Sequence, residues 1–343
     1  FGAPILGSLA DQKGRKKLLV LSLVGTVGGY AIFILGILTS NLYLLFLGRI
    51  VDGFTGGNIS IAQSAIADVS TPETKSRNFG LIGMAFGLGF IIGPYIGGKL
   101  SDSLIVSWFT YATPFYLTIL LAIINVVLVA LNFPETLVIK RAVKVNLFTG
   151  FTNIKKAFTF KDLRVMFLVV FLLTVGFNFF TQFFQVFLYG KFKFTQSQVG
   201  DFFAYMGIWI AIAQGAVLRP LSKKFKPAKI LSYSIILLAI SFPFLLIPHQ
   251  RVWLYLIVPF IAIFQGLNQP NGTAIISNLV DSTKQGEILG INQSISSLAQ
   301  ALPPIIAGFV TAVSINLPTW FAAGSTLLAW IIFKCFFKGE KNV

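Results

Sequence analysis

The chain has 343 residues, of which 55% are hydrophobic and only 11% charged, with a mean hydropathy of +0.82 and a formal net charge of +16. An ordinary soluble domain is about 25% charged, so the composition excludes a soluble protein and points to a membrane one. In that setting the excess of base must first be tested against membrane topology before it is read as affinity for nucleic acid.

Residues 1–6, FGAPIL, are a short apolar tail that reads as the end of a helix whose beginning is absent, and no signal peptide or natural amino terminus is visible. The tail runs straight into GSLADQKGRKK, Gly7 to Lys17, where one acid and four bases sit together. About 20 apolar residues of helix cross the ~30 Å hydrocarbon core of a bilayer. Runs of that kind fall at 18–40, 42–67, 78–98, 110–133, 165–190, 202–219, 230–248, 252–280, 288–312 and 317–337. The pattern therefore predicts an all-α polytopic membrane protein with ten spans and a stub, and the alternating strands of a membrane barrel are not seen.

The loops orient it. Alternate loops, beginning with Gly7 to Lys17, hold 22 of the 27 bases. The opposite loops hold Lys99, Lys191, Lys193 and Arg251, and Arg49 lies within a span. By the positive-inside rule the opening loop and the carboxyl end face the cytoplasm, and the basic balance reports topology rather than a nucleic acid partner. The single cysteine, Cys335, has no companion for a disulfide or metal site, and the single histidine, His249, lies in the short turn IPHQR far in sequence from any acid. No metal and no cofactor is expected.

In the first charged loop, Gly7 and Gly14 allow a tight turn, Asp11 can cap the start of a helix, and Arg15 can bind carboxylates in fork geometry. In the second span Arg49, Asp52, Gly53 and Gly56 fall at i, i+3, i+4 and i+7, on one helical face. Charge at mid-bilayer costs at least ~2.5 kcal/mol per residue and marks a proton or substrate path. Asp52 can be neutralised by Arg49 or by a proton, so this pair is the simplest coupling switch in the chain. In the third span Gly89, Gly93 and Gly97, like Gly83 and Gly87 before them, recur every four residues as a smooth stripe. Pro94 beside Gly93, ahead of Gly97 and Gly98, bends that helix.

From Asn132 to Arg164 runs the longest and most basic polar connection, whose residues 147–160 could lie as an amphipathic helix on an anionic leaflet. It divides the chain into a first half, 1–133, a cytoplasmic linker, 134–164, and a second half, 165–343. The halves repeat weakly: 78–98 set against 288–308 matches Gly80 with Gly290, Pro94 with Pro304 and Gly98 with Gly308. If the second half holds six spans, the first is short of one whole helix and most of another. The second half lacks intramembrane charge but carries amides: Asn178, Thr181, Gln182 and Gln185 on one face, Gln265, Asn268, Gln269 and Asn271 in another span, and Asn292, Gln293 and Gln300 in a third. With 36 phenylalanines in the chain, an amide-rich aromatic cavity suits an uncharged, zwitterionic or amphipathic solute.

GSLADQKGRKK followed by LLVL resembles the signature loop between the second and third helices of the major facilitator superfamily, with Gln12 the one departure. LGRIVDGFTGG (47–57) is similar to the fourth-helix motif of that family through Arg49 and Gly53, where Asp52 stands in place of the more usual glutamine or small residue. AFGLGFIIGPYIGG (85–98) resembles the fifth-helix antiporter motif, and ADVSTPETKSRNFG (67–80) the loop before it in tetracycline/proton and multidrug antiporters. The resemblance implies two six-helix halves that rock around a central site. It also implies a latch in which Asp11 and Arg15 hold the cytoplasmic helix ends together, and a glycine stripe that seals the halves against proton leak.

The expected function is a proton-coupled exporter of small amphipathic compounds, acting as a monomer in a bacterial inner membrane. Its partners are a small-molecule substrate, protons and the bilayer. The alternatives are a proton symporter or facilitator for a metabolite, or a transport-inactive membrane sensor. No H-E-x-x-H, P-loop or nucleophile with a base is present, so an enzyme is not expected and ATP is not the energy source.

Overall fold

The computed structural model describes residues 2–70, 85, 88–89, 91–137, 152, 163–279 and 285–337, and every regular element among them is helical. The chain forms two compact units, Phe1–Gly150 and Phe151–Val343. The first unit comprises α1 (Gly2–Lys13), α2 (Arg15–Leu38), α3 (Leu42–Thr55), a 3-10 turn (Gly56–Asn58), α4 (Ile59–Asp68), α5 (residues 91–100) and α6 (Thr113–Asn132). The second comprises α7 (Arg164–Phe192), α8 (Gln196–Ile212), a π turn (Ala213–Val217), α9 (Leu218–Lys224), α10 (Pro227–Phe244), α11 (Arg251–Asn278), α12 (Gln285–Val313) and α13 (Leu317–Phe336).

Eight helical stretches among the described residues are long and apolar enough to cross a membrane: Arg15–Leu38, Thr113–Asn132, Arg164–Phe192, Gln196–Lys224, Pro227–Phe244, Arg251–Ile276, Ile291–Val313 and Leu317–Phe336. The sequence led us to expect ten. One of the other two, 42–67, is divided by the 3-10 turn: Gly56 and Gly57 are poor helix formers, and the ladder breaks where they follow each other. The other, 78–98, lies largely outside the described residues, as do Gly80, Gly83, Gly87 and the whole of 147–160 except Thr152.

Local chemistry sets the ends. Asn41 caps α3 by accepting from the backbone N–H of Tyr43 (2.9 Å) and Leu44 (3.3 Å). Thr195 and Gln198 make a reciprocal capping box at the start of α8. Arg251 donates to the carbonyls of Phe192 and Lys193 (both 2.9 Å), satisfying the carboxyl end of α7. Pro220 in α9 has no N–H to donate and its ring crowds the carbonyl of Ala216, and the ladder slips to π spacing in the turn just before.

In the first unit α2 is central, packed on α3 and α6. Glycines let α2 and α3 touch backbone to backbone: a Cβ on Gly29 would stand 2.8 Å from the Asp52 nitrogen, and one on Gly48 2.8 Å from both the Gly29 oxygen and the Phe33 nitrogen. Such contacts are what holds helices together in lipid, where apolar burial gives no net drive. In the second unit α7 packs on α12 and α13, and α10 on α11 and α13. Its core is built of phenylalanine, with Phe180, Phe187, Phe202 and Phe242 fully buried and Phe180 and Phe184 rings 4.6 Å apart. Much of the phenylalanine that suggested an aromatic cavity therefore fills the core. On α6, by contrast, Leu120, Leu121, Ile124, Leu128 and Leu131 are 45–76% exposed, an apolar surface of the size that fits contact with a membrane.

Candidate functional site

The charged loop folds into the joint between α1 and α2. Asp11 is in the last turn of α1 and Arg15 in the first of α2, and Gly14 between them takes φ +105, a conformation that L side chains rarely adopt. The Arg15 side chain is only 7% exposed. Its Nη1 is 2.6 Å from Asp11 Oδ1 and its Nε donates to Asp68 Oδ2 at 3.1 Å, so one guanidinium joins the ends of α1, α2 and α4. Thr136, just beyond α6, donates to the same Asp68 oxygen at 3.1 Å. Gly7 brings α1 against Ser60, whose Oγ would lie 3.4 Å from a Cβ at that position.

The start of α2 is not capped by Asp11, as its position before the helix suggested, because Asp11 is already within α1 and spends its carboxylate on Arg15. Glu135 does the capping from 120 residues away. Its Oε1 accepts from the backbone N–H of Arg15 (2.8 Å) and Leu137 (3.0 Å), and its Oε2 from that of Lys16 (3.2 Å). A Cβ on Gly14 would collide with this carboxylate. Partial desolvation works against the charged form, but backbone N–H donors from Leu137, Arg15, Lys16 and Thr136 outweigh it, and the Glu135 pKa is lowered. A lowered folded pKa gives stability that is present above the unfolded value, near 4.3, and lost as pH falls through the folded one. Glu135→Gln is therefore expected to lower the melting temperature at pH 7, and the gap to the wild type to close below about pH 4, as thermal unfolding of the detergent-solubilised protein across a pH series checks.

The second charged cluster lies between α2, α3 and α6. Arg49 Nη1 and Asp52 Oδ2 are 3.5 Å apart, with the arginine side chain 50% exposed and the aspartate 20%. The guanidinium lies 4.3 Å over the Phe33 ring, 5.7 Å from that of Phe115 and 5.9 Å from that of Tyr30. Gly53 and Gly56, expected on the same face, are exposed and open.

The amides are spread over different surroundings. Asn178 Nδ2 donates to the Thr174 carbonyl (2.9 Å), and Gln182 and Gln185 are exposed further along the same face of α7. On α11 Gln269 is exposed and Gln265 has a buried carbonyl oxygen that accepts no hydrogen bond from the described residues, whereas Asn268 is buried against α10, where its Oδ1 accepts from Ser234 Oγ at 2.6 Å. An apolar groove of about 400 Å³ between α7 and α13, with Leu172, Val175, Phe179 and Trp320 in its wall, is bordered by none of them.

Comparison with known proteins settles the family. The sequence profile described as Major Facilitator Superfamily matches residues 1–302 and 166–342. The chain belongs to that superfamily. It is 28% identical over 331 residues to the class C tetracycline resistance protein of Escherichia coli, covering 96% of this chain and 79% of that one. It is 29% identical over 322 residues to multidrug resistance protein 1 of Bacillus subtilis (strain 168), covering 93% and 79%. The crystal structure of the human organic anion transporter MFSD10 superposes with a TM-score of 0.72 over 97% of this chain and 80% of that one, at 22% identity, which bears on the fold. The protein is an integral membrane transporter of this superfamily, similar to tetracycline and multidrug resistance proteins.

Within this superfamily chain the glycine stripe is only partly described. A Cβ on Gly89, Gly93 or Gly97 would meet no atom of the described residues within 4 Å; Gly98 is buried and Pro94 half-buried in α5. Sequence reasoning missed Asp68 and Glu135. The signals were an acid at the end of each of two spans and a helix start, Gly14-Arg15, with no side chain of its own to cap it.

Proposed function

We propose that this transporter is a proton-coupled antiporter that exports small amphipathic compounds by alternating access, as a monomer in a bacterial inner membrane with loop 7–17 and the carboxyl end cytoplasmic. The observation that carries the reading is the Arg49–Asp52 pair in α3: an acid among apolar spans whose one charged neighbour among the described residues stands 3.5 Å away, close enough to hold it ionised and loose enough to release it to a proton. The names of the tetracycline and multidrug resistance relatives support export of such compounds. In this reading Gly7, Asp11, Gly14 and Arg15 latch the cytoplasmic helix ends, with Asp68 and Glu135 as their partners, and Gly89, Gly93, Pro94, Gly97 and Gly98 seal the halves. Asn178, Gln182, Gln185, Gln265 and Gln269 meet the substrate, while Asn268 holds α11 to α10.

The test is a pH-sensitive dye in energised inverted vesicles, to which tetracycline, ethidium and other amphipathic compounds are added. Antiport is expected to drive protons out of the acidified lumen with the wild type and not with Asp52→Asn, expressed to the same level. Coupled transport at the wild-type rate in Asp52→Asn overturns the role of Asp52, and movement of proton and substrate in the same direction replaces antiport with symport.

A further inference from the structure

The surroundings of Arg49 go beyond an ion pair. Tyr30 and Phe33 come from α2 and Phe115 from the start of α6, with the Phe33 and Phe115 rings 4.7 Å apart and those of Tyr30 and Phe115 6.1 Å apart. All three lie within the ~6 Å at which a ring face attracts a cation. Besides Arg49, the Tyr30 phenol of α2 faces Asp52. No other titratable or charged group faces Asp52 among the described residues: α6 carries no Asp, Glu, Lys or Arg, and α1, which meets α3 where Gly2 stands against Phe54, has its charges, Asp11 and Lys13, at the far end.

A guanidinium stays protonated at any working pH, so of the pair only Asp52 can change state. Once it does, Arg49 is left as a lone cation within the membrane, which is costly unless something else holds it. Ring faces hold a cation without being able to neutralise it by giving up or taking a proton. We propose that Tyr30, Phe33 and Phe115 form a clamp that keeps the Arg49 charge in place while Asp52 alone gains and loses its proton. The three are positioning residues, and the proposal rests on the coupling role of Asp52 put forward above.

A shift and its rescue test it. Without the Phe33 ring, Arg49 is free to close on Asp52 and hold the carboxylate ionised, so protonation needs more acid. The full-length protein is purified into lipid nanodiscs and its carboxyl stretch followed by infrared difference spectroscopy as pH is stepped, the band missing in Asp52→Asn reporting Asp52.

Phe33→Leu is expected to lower the midpoint of that band by about half a pH unit, and Phe33→Tyr, which restores a ring, to return it to the wild-type value. An unmoved midpoint in Phe33→Leu, a midpoint that Phe33→Tyr does not restore, or no band lost in Asp52→Asn overturns the clamp. Failure of the clamp is separable from failure of coupling. If Asp52→Asn abolishes exchange in vesicles while Phe33→Leu leaves the midpoint alone, the clamp falls and coupling stands. Normal exchange in Asp52→Asn removes both.

Discussion

Removing both acids that flank Arg15 is expected to damage the protein more than removing Arg15 itself. The Arg15 side chain is 7% exposed, whereas those of Asp11 and Asp68 are 34% and 25% exposed. In Arg15→Met the two carboxylates can turn to water, and the stem of the new side chain keeps the packing of the old. In the double variant Asp11→Asn, Asp68→Asn a buried cation stays behind without a counter-charge, which costs about 3–5 kcal/mol. Thermal unfolding in detergent should rank the double variant below Arg15→Met; the reverse order would mean that the guanidinium is better hydrated than its burial implies. Arg15→Lys adds a functional test. A lysine is a point charge and serves one carboxylate at a time, while the guanidinium fork spans α1 and α4 together. On the latch reading Arg15→Lys keeps the fold and lowers substrate-driven proton exchange at least tenfold.

How far the sequence reveals this site depends on how local each contact is. Arg49 and Asp52 are three residues apart within α3, so helical spacing alone sets them on one face, and Asp11 and Arg15 are four apart across the Gly14 joint, close enough in sequence to meet. Asp68 and Glu135 reach Arg15 across 53 and 120 residues. No spacing rule predicts contacts at that distance, because they depend on which helix ends the fold gathers at one surface. The aromatic clamp is hidden for a different reason: among 36 phenylalanines and nine tyrosines, nothing in the sequence sets Phe33 or Phe115 apart from a ring in the core. The broken span at 42–67 was legible in principle, since Gly56 and Gly57 stand together in the middle of an apolar run. The membrane itself was the most legible feature, because chain composition and run length report the solvent directly.

Gly48→Leu is expected to abolish the folded protein, and the reason ties the coupling pair to the packing beneath it. A Cβ at Gly48 would stand 2.8 Å from two backbone atoms, the Gly29 oxygen and the Phe33 nitrogen. Backbone cannot rotate out of the way as a side chain can, so α2 and α3 would have to separate. Overpacking typically costs 1–3 kcal/mol where side chains can adjust, and more is expected here, since close backbone approach is itself the attraction between these helices in lipid. The same contact sets the site: α2 supplies Tyr30 and Phe33 and α3 supplies Arg49 and Asp52, so a wedge at Gly48 parts the clamp from the charge it holds. Gly53→Ala, where a Cβ meets nothing within 4 Å, is the control on the same helix and should behave as wild type. The yield of monodisperse protein after solubilisation decides the matter. The smaller Gly48→Ala is the finer probe, expected to lower the melting temperature and to move the Asp52 titration in the same direction as Phe33→Leu, because both withdraw a ring from Arg49. Wild-type stability and titration in Gly48→Ala would mean that α2 and α3 part by a few tenths of an ångström without penalty, and that the clamp does not depend on their contact.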